Sequence, residues 1–140
     1  MKRYYSYDPA TGESACLIAD KLCTHCGIAV CHPEDEPFKS ERVGLSIAEA
    51  RAEIAALKHL WKNELLPGYK ALSHLQTNIK TSKFYNPKSY EARMLRRQVA
   101  IKEAEIDAVK QEIKIIQASL DAYLKARDDY NSKKLQDKKD

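Results

Sequence analysis

Residues 89–130 read SYEARMLRRQVAIKEAEIDAVKQEIKIIQASLDAYLKARDDY, and the spacing of the side chains within them decides the fold. Ala92, Leu95, Val99, Lys102, Ile106, Val109, Ile113, Ile116, Leu120, Tyr123, Arg127 and Tyr130 follow one another at alternating steps of three and four, with Lys102 and Arg127 as charged interruptions. That period lays one stripe along one helix face, and its persistence over five heptads is the seam of a coiled coil. Ser89 stands where its hydroxyl can accept from a free backbone N–H, so a helix over about 89–131 is predicted to start there.

Upstream lies a second helical stretch. Ser46 with Glu49 three residues on has the form of a capping box, and a stripe runs through Ile47, Ala50, Ile54, Leu57, Trp61, Leu65, Gly68, Leu72, Leu75 and Ile79. Leu57, Trp61 and Leu65 are separated by two consecutive steps of four, a stutter that locally unwinds a coiled coil. Pro67 follows at once; it lacks a backbone donor and crowds the carbonyl of Asn63, so a kink is expected near it. The predicted arms are about 46–83 and 89–131. The short connection between them, with Phe84-Tyr85-Asn86-Pro87, favours an antiparallel hairpin occupying 46–132, and residues 133–140 should fray.

Residues 1–45 have a different texture. Pro9, Pro33, Pro37 and the Thr11-Gly12 step punctuate short β-prone pieces at Lys2 to Tyr7, Ala15 to Cys23 and Ile28 to Cys31. A segment this small with so few large apolar side chains usually needs a metal, a disulfide or a neighbouring element. The expected fold is therefore mainly α: a long, coiled-coil-like antiparallel helical hairpin preceded by a small β-rich cap resembling a zinc knuckle.

All four cysteines fall between positions 16 and 31. Cys23-Thr24-His25-Cys26-Gly27 has the two-residue spacing that lets both sulfurs face one ion, with Gly27 permitting the tight turn. Cys31 can reach the same tetrahedron. Cys16 is the preferred fourth ligand and His32 the alternative, giving a closed, structural Zn2+ site. A redox role for the Cys-x-x-Cys pair would call for a helix N-terminus in a βαβ pattern, which the chain lacks.

The 140 residues carry 24 Lys and Arg against 20 Asp and Glu, a net charge of +4 that is unevenly placed. Between positions 65 and 102 eight cations face Glu91 alone. Lys80, Lys83, Tyr85, Lys88, Arg93, Arg96 and Arg97, interleaved with Phe84 and Tyr90, are the candidate contacts for nucleic acid or for an acidic protein surface. No Gly-x-Ser-x-Gly, Gly-rich phosphate loop or His-Glu-x-x-His occurs, which argues against an enzyme. No apolar run is long enough for a membrane span or a secretory h-region, so a cytoplasmic protein without membrane contact is expected.

These features predict a non-enzymatic binding or adaptor module with a structural zinc and a basic hairpin turn, possessing affinity for nucleic acid. The second reading is a protein-protein adaptor or inhibitor with no nucleic-acid activity, and the third a thiol oxidoreductase. Self-association through the helical hairpin is expected, because two helices bury only one stripe each. A knuckle ahead of a helical hairpin resembles, in architecture alone, small accessory proteins of phages and mobile elements; no residue role is carried over on that likeness.

Overall fold

The computed structural model describes residues 2–20, 23–30 and 41–139. Strands β1 (Lys2–Asp8), β2 (Glu13–Ala19) and β3 (Thr24–Val30) form an antiparallel sheet in sequence order. Helix α1 (Glu41–Leu60) continues through a π-helical turn, Trp61–Leu65, into α2 (Leu66–Lys80), and α3 runs Tyr90–Lys139. The protein is thus mostly helical, with a small sheet before the helices. Two compact units divide it: Met1–Ala56 with Ile113–Asp140, and Leu57–Glu112. The boundary falls inside α1 and α3, and the sheet shares one core with α1 and α3.

The β1–β2 turn is built from its own side chains. Asp8 Oδ1 accepts from the Ala10 N–H at 2.9 Å, the Gly12 N–H donates to the Asp8 carbonyl at 2.8 Å, and Gly12 takes φ 73°, a value open to glycine. Pairing then sets Tyr5 opposite Cys16 and Cys16 opposite Gly27, with Ile18 between Arg3 and His25 and Ser14 between Tyr7 and Ala29. Since side chains alternate across a strand, these rows make one face and Tyr4, Leu17 and Cys26 belong to the other.

The first face is the buried one. Cys16, Ile18 and Ala29 join Ile47, Ala48, Ala52 and Ile54 of α1 and Leu120 of α3 in one core, flanked by Val43, Ile113, Ile116, Tyr123 and Leu124. Burying an isoleucine such as Ile18 contributes about 2 to 3 kcal/mol. The helix comes very close. A Cβ added at Gly27 would lie 1.9 Å from the Ala48 carbonyl oxygen and 2.5 Å from the Ala52 nitrogen. The strand edge is tied down as well: Arg3 forms ion pairs with Glu49 at 3.0 Å and Glu53 at 2.6 Å, Tyr5 donates to Glu49, and Arg51 donates to the Ile28 carbonyl at 2.6 Å.

The structure revises several sequence expectations. The first helix already includes Glu41, and Ser46 lies inside it, its hydroxyl donating to the Arg42 carbonyl at 2.9 Å rather than capping. Near Pro67 the backbone stays helical, and the Leu66 N–H reaches five residues back to the Trp61 carbonyl. The stutter is this π turn. An extra residue in the stripe widens one turn of the helix next to a proline that cannot donate. Ser89 does cap the last helix, accepting from the Ala92 N–H at 3.2 Å. Beyond it no Pro or Gly occurs, and α3 extends through Lys139 instead of ending near 132. Of its stripe, Ala92, Val99, Ile106, Val109 and Leu120 are buried.

Three groups link this packing to pH. The carboxylates of Glu49 and Glu103 accept hydrogen bonds from Tyr5 and Tyr69 and push both phenols above their usual 10.0, while burial raises the Cys16 thiol above 9.0. All three groups are neutral when protonated, so their contribution is complete below those ordinary values and is lost as pH rises through the higher folded ones. The melting temperature should fall as pH rises past those ordinary values in the wild type, and fall less in Tyr5→Phe with Tyr69→Phe. An unchanged alkaline profile in the double variant would contradict this.

Candidate nucleic-acid interface

The cysteines come first, because a shared metal was expected of them. The Asp20 N–H donates to the Cys23 carbonyl at 3.0 Å and the Cys23 N–H to Asp20 Oδ1 at 2.8 Å, so the β2–β3 hairpin closes at that pair and Cys23 leads straight into β3. The run Cys23-Thr24-His25-Cys26-Gly27 is therefore extended, where a zinc knuckle needs a tight turn. Three steps along a strand cover about 10 Å and end on the opposite face. Cys16 is wholly buried against α1, whereas Cys26 is exposed on the outer face next to Leu17.

Cys16 and Cys26 thus lie on opposite faces of the sheet. Cys31 and the alternative ligand His32 lie outside the described residues. Among the described residues no three His, Cys, Asp or Glu side chains are grouped so as to hold a metal ion. Gly27, read from sequence as a turn residue, serves instead as the point where sheet and helix touch.

The basic residues are differently placed. The unit Leu57–Glu112 holds eleven Lys and Arg against six Asp and Glu, while the rest of the chain has thirteen against fourteen. Lys80 ends α2, Lys83 and Lys88 sit in the connection 81–89, and Arg93, Arg96 and Arg97 occupy the first two turns of α3. All six are exposed. Lys80, Lys83, Lys88, Arg93 and Arg97 form no ion pair with any described residue. Arg96 is the exception in role, since it donates to the Pro87 carbonyl at 2.8 Å and so fastens the connection to α3.

That connection is held by its own polar groups. The Tyr85 N–H donates to the Ser82 carbonyl at 3.1 Å, the Lys88 N–H to Asn86 Oδ1 at 3.0 Å, and the Ser89 N–H to the Asn86 carbonyl at 3.0 Å. Tyr85, a predicted contact residue, is half-buried. Phe84 and Tyr90 take the exposed positions instead, with 90% and 65% of their surface in water. Their sequence signal was present: Phe84 follows Lys83 in a Pro- and Asn-containing turn, and Tyr90 stands between Lys88 and Arg93 at the start of α3. Elsewhere in this unit Trp61 has two ammonium groups over its ring, Lys110 at 5.0 Å and Lys62 at 5.9 Å.

No described helix is long and apolar enough to cross a membrane. No family model matches the chain, and neither a curated protein nor a solved structure matches it.

Proposed function

We propose that this chain is a non-enzymatic binding module that grips the phosphate backbone of nucleic acid through Lys80, Lys83, Lys88, Arg93 and Arg97. The observation that carries the reading is a set of five exposed cations, none paired with a described carboxylate, gathered within eighteen consecutive residues. Charges left unneutralised in this way repel one another and are relieved by a polyanion, whose condensed counterions are then released. The coiled-coil-like hairpin belongs to the same proposal. It is supported by an earlier position on one arm meeting a later one on the other: Trp61 lies by Lys110, whereas Gly68 lies beside Lys102 and Tyr69 donates to Glu103 at 3.1 Å. Antiparallel arms would present the connection 81–89 and its cations at their turn.

A salt titration of oligonucleotide affinity tests this. Arg93→Ala with Arg97→Ala removes two phosphate contacts and should flatten the slope of log affinity against log salt by about 1.4 on a single strand or about 1.8 on a duplex. Affinities and slopes untouched by that double substitution would refute the proposal.

A protein partner is the second reading, and it rests on another surface. Tyr4, Leu17, Ile28 and Val30 are exposed on the outer face of the sheet, where Tyr4↔Leu17 and Leu17↔Cys26 are cross-strand neighbours.

A further inference from the structure

We infer that the strand gripped by this surface is single, with unpaired bases stacking on Phe84 and Tyr90; the inference rests on the nucleic-acid reading above and names its substrate class. Phosphate attraction alone would be served by lysine and arginine. It gives no account of a phenylalanine with 90% of its surface in water in a connection whose backbone is fixed by Ser82, Asn86 and Arg96. A large apolar ring held outward by an ordered turn loses hydrophobic stabilisation unless something covers it. Lys83 adjoins Phe84, and Lys88 and Arg93 bracket Tyr90, so whatever covers the rings must also satisfy cations. An apolar protein surface would leave those charges desolvated and unpaired.

A single strand meets both demands, since it offers an anionic backbone and, on the same chain, flat π-faces. A duplex offers the phosphates but keeps its base faces stacked inside. Stacking on aromatic side chains is tolerant of sequence, because every base has such a face. Little base preference is therefore expected beyond stacking strength.

The test uses the full chain and three probes of about twelve nucleotides: an oligothymidylate, an abasic strand with the same phosphates, and a duplex. The oligothymidylate should bind about 10- to 100-fold more tightly than the abasic strand. Phe84→Ala and Tyr90→Ala should each remove most of that advantage while changing abasic and duplex affinity by less than about twofold, and Lys88→Ala with Arg93→Ala should weaken all three probes. In Phe84→Trp the added indole should be quenched by the oligothymidylate and not by the abasic strand. Equal affinity for the two strands, with the cation substitutions still effective, would overturn stacking and leave the phosphate reading standing. Failure of all three probes to bind at about 50 mM salt would overturn both.

Discussion

Gly27→Ala is expected to cost about 3 kcal/mol or more and to lower the melting temperature by on the order of 10 °C or more, read by circular dichroism. The new methyl carbon would meet the Ala48 carbonyl oxygen at 1.9 Å and the Ala52 nitrogen at 2.5 Å, both backbone atoms of α1. A flexible side chain would yield to such a contact. A hydrogen-bonded helix backbone does not, so the sheet must lift and the row Tyr5, Cys16, Gly27 separates from the helix it covers. Gly68→Ala is the matched comparison. Among the described residues its methyl would meet Lys102 Cε alone, at 3.6 Å, and alanine in a helix is favoured over glycine by roughly 0.5 to 1 kcal/mol. One glycine should destabilise on substitution and the other stabilise; a shift of the same sign and size in both would show that the close approach is not what Gly27 provides.

The thiols should differ in reactivity by a large factor. With an excess of maleimide, peptide mapping is expected to find Cys26 labelled quickly and Cys16 labelled about a thousandfold more slowly, limited by transient unfolding. Cys26 lies exposed on the outer face of β3, while Cys16 has no exposed surface and a thiol raised by burial. A metal chelator should leave the ratio unchanged. If both cysteines are equally protected and a chelator releases them together, they share an ion, and β2 cannot pair with β3 in a register that sets Cys16 opposite Gly27.

The helical part of the fold was legible because its signal is long. The stripe from Ala92 to Leu120 needed no tertiary knowledge, and Ser89 marked its start through a local hydrogen bond. Even the π turn had left its trace in the two consecutive steps of four through Trp61. The three strands were legible too, at β1 most closely, and what was not legible was that Thr24 to Gly27 belongs to the third, for a specific reason. Thr24 to Val30 alternates with its large members, Ile28 and Val30, facing out and its small ones, Gly27 and Ala29, facing the core. A rule that puts bulk inside reads that pattern backwards, and Cys-x-x-Cys-Gly then suggests a knuckle. The missing clue lay on α1. Gly44, Ala48 and Ala52 recur every four residues and are all buried, a narrow track that a strand with small side chains can approach closely. Of the candidate interface, charge was legible and exposure was not. Tyr85 and Phe84 are neighbours in sequence, and only the folded connection separates the half-buried ring from the open one.

The wide turn at Trp61–Leu65 also fixes a phase. One residue more than an α-helix needs has been accommodated there, so side chains after Leu65 are rotated by about 100° from where an uninterrupted helix would carry them. Deleting a single position between 61 and 65 would swing Tyr69 away from Glu103 and return the proline ring at 67 to its collision with the carbonyl four residues back. The surplus residue and the proline are therefore coupled, and a shortened chain would tolerate the loss of one only if the other were replaced as well.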